Sequence, residues 1–376
     1  MTRTLDAGAL RLEHVTPFRR VGTYAPFPVI ELLADGRLAL GFPSNDGDYQ
    51  DHGFMFDWNV LVSSDRGSTW TPSGDPAIPY NWPGTGPRER WDRFTTVLPN
   101  GTYLAAGAIG WTAWPASRRA EAEEMGLQIG NYPGGDAEQI VVAPNRLFVQ
   151  RSRDGGATWD RREWEVPGSY RLTGFPRAAI LADGTFLAPL YDIYPEGQKH
   201  RDHNLLLRSS DGGETWTLTL MGHDWHAGWG NEAALLETAP GRVLAMVRQN
   251  PSAYLLQSWS EDAGRTWSQP LRTGIWGYPP HLLRLRDGRV LCTYGHRRDP
   301  LGVQAVISAD GGTTWDVEHR VILRGDGETR RREDRESRDL GYPHSVQLPD
   351  GSIFTAYYLT KDQTTHIAAT RWELPW

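Results

Sequence analysis

The chain has 376 residues, 39% of them hydrophobic, with a formal charge of −7 and a single cysteine. One thiol excludes an internal disulfide framework, and mild acidity without a basic stripe argues against nucleic acid as a partner. No apolar run approaches the ~18 residues that a spanning helix needs, so no membrane partner is expected.

In chain order, the first residues, Met1-Thr2-Arg3-Thr4-Leu5-Asp6, lack the apolar stretch of a secretory leader. A cytoplasmic location is therefore the expectation, unless a leader lies outside this chain. Residues 10–15 read as a strand. Six times thereafter a short apolar strand, a turn ending in glycine and a second apolar strand follow one another. The copies cover 29–40 around Asp35-Gly36, 95–106 around Asn100-Gly101 and 178–190 around Asp183-Gly184. The others cover 233–247 around Pro240-Gly241, 282–294 around Asp287-Gly288 and 346–357 around Asp350-Gly351. Asn-Gly or Asp-Gly between strands is a strong hairpin signal.

Interleaved with these hairpins, the pattern Ser-x-Asp-x-Gly-x-Thr-Trp occurs five times, at 63–70, 152–159, 209–216, 260–267 and 308–315. Its aspartate can accept backbone N–H bonds across a turn, its glycine supplies a positive φ, and its tryptophan can pack between neighbouring sheets. Six hairpins and five such turns fit an all-β fold, a six-bladed β-propeller of four-stranded blades in one domain over 1–376. The 10–15 strand would complete the last blade, whose final strand lies near 366–370. Residues 111–145 interrupt the rhythm as an insertion within blade two, with a short surface helix expected over 116–125 after Pro115. The mixed-charge run 330–336 reads as a solvated loop. Cys292 reads as a small buried residue.

These repeats resemble the aspartate boxes (BNR repeats) of the sialidase superfamily over nearly the whole chain. The resemblance implies a Tyr nucleophile assisted by a Glu, an Asp acid, and three arginines gripping a substrate carboxylate. The segment 341–351, Gly-Tyr-Pro-His-Ser-Val-Gln-Leu-Pro-Asp-Gly, is similar to the nucleophile segment and makes Tyr342 that residue. Gly230-Asn231-Glu232-Ala233 is similar to the helper segment, and Arg248 matches one arginine. Glu232 and Tyr342 each lie nine residues before their turn glycines, Gly241 and Gly351. In the loop 46–52, Asp51 aligns best as the acid, with Asp46, Asp48 and Asp57 as rivals.

Two family arginines are missing. Ala25 stands where the first belongs, and 277–281, Gly-Tyr-Pro-Pro-His, holds no arginine for the third. His281, His344 and Arg177, each seven residues before a turn glycine, and Arg93, one position off, are the other polar candidates for binding substrate. The pairs His200/His203 and His223/His226 lack a clear third ligand, so no metal or cofactor is expected. Trp58, Trp111, Trp114, Trp225, Trp229 and Trp276 lie outside the repeated turns, where they can stack on sugars or fill gaps. The leading expectation is a sialidase-like glycoside hydrolase for an acidic sugar, with a carbohydrate as its partner. The alternatives are a His/Tyr-dependent lyase acting on a uronate and a non-catalytic glycan-binding propeller.

Overall fold

The computed structural model describes residues 11–46, 57–74, 96–109, 112–131, 137–143, 146–166, 172–174, 178–192, 203–221, 230–250, 252–331 and 336–374. Among them the regular structure is nearly all strand, and helix is confined to Ala116–Arg118 and Arg119–Glu124. The fold is all-β. Two compact units divide the chain, one of 1–50, 56–74 and 273–376, the other of 51–55 and 75–272.

In the first unit, Pro280–Arg284, Val290–His296, Gly302–Ser308 and Val321–Arg324 form an antiparallel sheet. The strands Gly341–Gln347, Ile353–Lys361 and Thr364–Trp372 are joined by Leu12–Phe18, which runs antiparallel to Thr364–Trp372 with Val15 opposite Ala369. Val29–Leu32, Leu38–Asp46, Asp57–Ser63 and Thr71–Pro72 make a further set. The short strand Thr23–Tyr24 links these last two sets into one nine-stranded sheet.

The second unit repeats the plan. One sheet holds Thr96–Val97, Tyr103–Ala108, Arg146–Ser152 and Asp160–Glu165. Another is built on Phe186–Asp192, His203–Ser209 and Thr217–Leu220, with Leu172–Gly174 and Ala179–Ile180 along its inner edge. Gly230–Ala239, Arg242–Gln249 and Tyr254–Ser260 follow, and the chain leaves the unit along Leu271–Trp276. Residues Thr112–Pro115, Gln139–Ala143 and Gln128–Asn131 pair as a small separate sheet, against which the short helix buries Ala122 on Ile140 and Val142.

Burial explains the continuous apolar runs. Val290–His296 is buried on both faces, whereas the outermost strand Asp160–Glu165 is mostly exposed. Sheets stack face to face within a unit. Leu291, Val303 and Leu323 pack on Ile353, Tyr357 and Trp372, and Leu104, Leu147 and Val149 pack on Phe186, Leu190 and Leu207. Each such side chain contributes roughly 1.5–3 kcal/mol when fully buried. Cys292 belongs to this interior, and burial pushes its thiol pKa far up.

The hairpin turns share one local device. Asp35, Asn100, Asp183, Asp287 and Asp350 each accept the N–H of the residue two positions on, at 2.9–3.0 Å. At Pro240-Gly241, which lacks such a residue, Glu237 takes the Gly241 N–H instead, at 2.8 Å.

The five Ser-x-Asp-x-Gly-x-Thr-Trp turns are equally uniform. In each, the serine hydroxyl donates to Asp Oδ1 at 2.6–2.8 Å and accepts the glycine N–H at 2.7–2.9 Å. The threonine N–H and hydroxyl both return to the aspartate. The Thr69 bonds hold the Asp65 pKa down at about 2, and the Ser152 and Thr158 bonds do so for Asp154. Gly67 shows why glycine is needed. Its φ is +88°, and a Cβ there would lie 2.1 Å from Phe354 of the neighbouring strands.

Candidate active site

In the second unit, Glu232 sits at the start of Gly230–Ala239, where the pairing slips between Gly230 and Ala233. This bulge breaks strict alternation and re-aims the side chains of 231–232. Asn231 Oδ1 accepts the Glu232 N–H at 2.9 Å, and the Asn231 carbonyl accepts Asn204 Nδ2 at 2.6 Å. Arg248, on the adjacent strand, directs Nη1 to both Glu232 carboxylate oxygens at 3.1 and 3.0 Å and donates Nε to Asn250 Oδ1 at 2.7 Å. The side chains are 7% and 17% exposed, so this is a largely desolvated ion pair.

Tyr342 occupies the matching place in its own sheet of the first unit. Pairing slips between Gly341 and His344, and Tyr342 falls in the slip with φ +46°. A bulky residue at positive φ is strained by roughly 1–3 kcal/mol and persists only where its surroundings hold it. Here Phe27, itself at φ +54°, meets the Tyr342 ring at 4.5 Å, and Tyr358 lies 5.8 Å away.

The Arg297 guanidinium lies 5.9 Å from the Tyr342 ring centroid and 5.1 Å from that of Tyr278. It is held by Asp339 at 3.0 Å and by the Leu340 carbonyl, which accepts Nε at 3.0 Å. Asp339 also accepts the hydroxyls of Tyr24 at 2.5 Å and Tyr358 at 2.7 Å. Burial, reinforced by the Asp339 charge, drives both phenol pKa values well above the ordinary tyrosine value, so both stay neutral donors.

Close backbone approach completes this wall. A Cβ on Gly295 would come 2.7 Å from the Tyr278 carbonyl and 3.0 Å from Gly341 Cα. One on Gly277 would lie 2.5 Å from the Gly295 carbonyl.

His281 and His344 stand edge to face, with ring centroids 4.3 Å apart. His344 Nδ1 accepts the Ile30 N–H at 3.1 Å, and His281 Nδ1 accepts the Ser345 N–H at 3.3 Å. Each ring therefore stitches the innermost strand of one set to that of the next, and Nδ1 must be the unprotonated nitrogen. Asp51, Arg93 and Arg177 lie outside the described residues.

Reading the sequence alone missed three residues. Arg297 and Asp339 flank Tyr342 as described. Arg330, assigned to a solvated loop, is instead buried and donates to Thr365 Oγ1 at 3.2 Å, while the Thr365 carbonyl accepts the Ala25 N–H. An arginine thus comes up to the segment that bears Ala25. Arg297 directly follows Val290–His296, the second strand of its sheet, and Arg248 is the last residue but one of Arg242–Gln249, the second strand of its own.

A family model described as BNR repeat-like domain matches residues 85–355. The chain belongs to the BNR repeat-like family. Among its curated relatives, a sialidase of Bacteroides fragilis is 25% identical over 303 residues, covering 73% of this chain and 50% of the relative. A sialidase of Paraclostridium sordellii is 22% identical, covering 67% and 59%. This BNR repeat-like chain therefore spans only about half the length of the curated relatives it matches. Among solved structures, a protein of unknown function from Dyadobacter fermentans superposes with a TM-score of 0.74 at 26% identity, covering 97% of this chain and 99% of that one. The intramolecular trans-sialidase of Ruminococcus gnavus gives 0.58 at 16% identity over 93% and 94%, a likeness of fold.

Proposed function

We propose that this BNR repeat-like protein is a sialidase-type glycoside hydrolase that cleaves an acidic sugar from a glycan, with the six-bladed propeller expected from its repeats as the scaffold. The observation that carries the proposal is the strained Tyr342, held in a bulge beside Arg297. A neutral phenol is a weak nucleophile, and it needs a base to take its proton and a positive field to favour the developing phenolate. Arg297 supplies such a field. Glu232 is the base in this reading, kept in place by Arg248 and Asn231.

Tyr342 Oη would bond to the anomeric carbon as the glycosidic C–O bond breaks, its proton passing to Glu232. Asp51 would protonate the leaving oxygen, and water would then release the sugar from Tyr342. Arg248 and Arg297, with Arg93, Arg177 and Arg330 as further candidates, would hold the substrate's carboxylate through charge-assisted hydrogen bonds. The sialidase names of the curated relatives make sialic acid the first sugar to try.

The test is turnover of chromogenic sialosides and uronides by the protein and by Tyr342→Phe. The variant should keep the fold, by circular dichroism, and lose at least about a thousandfold in kcat/KM. Equal turnover by the variant would end the Tyr342 mechanism. Growth of conjugated-alkene absorbance on acidic polysaccharides would replace hydrolysis by elimination. Tight glycan binding without turnover would replace it by recognition alone.

A further inference from the structure

The sheet built on Pro280–Arg284 carries a polar concavity whose lining includes none of the residues in the proposed mechanism. It has a volume of about 180 Å³ and is walled by Trp276, Val317 and Ile322 on its apolar side and by His296, Arg298 and Arg320 among its polar groups. Gln304, which accepts the Tyr294 hydroxyl at 3.1 Å, and Asp299 also line it. Although Arg298 follows Arg297 directly, the two serve different places. Arg297 faces Tyr278 and Tyr342, while the Arg298 guanidinium lies 4.0 Å from the Trp276 ring centroid.

The cleft is organised around a neutral histidine. His296 Nδ1 bonds with the Pro300 carbonyl at 3.0 Å, so it carries the proton, and Nε2 accepts Arg298 Nε at 3.3 Å. Burial, with the nearby Arg298 charge, keeps the imidazole pKa below its ordinary value, which preserves Nε2 as an acceptor. Trp276 meets the His296 ring edge to face at 5.3 Å. Arg298 is thus fixed through its flat face and Nε, leaving the two Nη groups as the fork that grips planar or tetrahedral oxyanions. Arg320 donates Nη1 to the Val317 carbonyl at 3.3 Å.

Among the described residues, no carboxylate lies within ion-pair distance of Arg298 or Arg320. Arg37, Arg289, Arg297 and Arg324 of the same unit each have an aspartate within 3.0 Å, whereas Arg298 and Arg320, like Arg286, do not. Two guanidinium groups against the single Asp299 carboxylate leave the lining with a net charge of about +1. We propose that this cleft binds one oxyanion group, the carboxylate or sulfate of an acidic sugar or a free inorganic sulfate or phosphate. Arg298 and Arg320 would hold the oxygens, with Trp276 and Ile322 as the apolar wall. The site does not depend on the hydrolase reading, because it shares no side chain with it.

The experiment is calorimetric titration of the protein at constant ionic strength with sodium sulfate, sodium phosphate, glucuronic acid and a sulfated monosaccharide. Arg298→Gln and Arg320→Gln are the test variants. Arg37→Gln, which removes an arginine already paired with Asp35, controls for loss of overall charge. Both test residues are exposed, so the variants should melt like the parent. Saturable binding should weaken at least about tenfold in either test variant and stay unchanged in the control. Binding of the inorganic ions alone would assign the cleft to free anions, and binding of the sugar acids alone would assign it to a glycan. No saturable binding of any probe, or equal binding by both test variants, would overturn the proposal.

Discussion

Asp65 and Asp339 belong to the same unit and both accept hydrogen bonds through both carboxylate oxygens, yet they draw on different parts of the chain. Asp65 is satisfied by Ser63 and Thr69, all within one turn. Asp339 gathers Tyr24, 315 residues away in sequence, together with Tyr358 and Arg297. A carboxylate with a local partner set forms its bonds whatever the rest of the sheet does, and five turns repeat it unchanged. One with a distant partner set exists only when three strand sets have assembled, and it then reports on, and depends on, that assembly. The first kind shapes the chain. The second shapes the surroundings of Tyr342.

The largest effect that could break this contrast is on stability. Asp339→Ala would leave two buried hydroxyls and Arg297 without their shared acceptor, and should cost about 3–5 kcal/mol in urea unfolding. A loss no greater than that from Asp65→Ala would erase the distinction. In the second unit, Arg248→Met should cost about 3 kcal/mol by stranding the Glu232 carboxylate. Adding Glu232→Gln should recover part of this loss, and a strictly additive double-mutant cycle would show that the ion pair is not coupled.

The smallest effects lie at the two ends of the pH scale. Tyr24 and Tyr358 have raised pKa values in the fold. Their contribution is therefore full below the unfolded value near ~10 and is lost as pH rises through the folded values. Asp65 and Asp154 are depressed to about 2, so their contribution is full above the unfolded value near ~4 and is lost as pH falls towards 2. Tyr358→Phe should flatten the alkaline limb of a stability–pH curve, whereas Asp154→Asn should change the acid limb only slightly. Reversal of that order would mean that the turns, rather than the Asp339 cluster, carry the pH response.

The same distinction explains how much could be read from the residues alone. Turns at Asp35-Gly36 or 63–70 are visible because their partners lie within a few positions and their glycines answer a local steric demand. The common placement of Glu232 and Tyr342 was visible for a related reason, since counting back from a turn glycine gives the strand register. Their bulges were not, because a slip in pairing depends on the neighbouring strand. Arg297, Asp339 and Arg330 escaped notice because nothing nearby in sequence marks them, and their meaning arises across strands. His281 and His344 were read as binding groups from their position along the strand. The structure adds that their Nδ1 atoms are engaged by backbone amides of the next strand, a use that register alone does not reveal.

The contact of Gly277, Gly295 and Gly341 has a consequence for how this wall could change over evolutionary time. Main chain resting on main chain contains no torsion that a substitution can relax, so it works as a fixed gauge between the segments bearing Tyr278 and Tyr342. Enlarging or narrowing the space at this point by stepwise replacement of side chains is closed off, because the first added carbon already collides. Changes to this wall would have to be written in the rings of Phe27 and Tyr278 and in the reach of Arg297, around a spacing that stays constant.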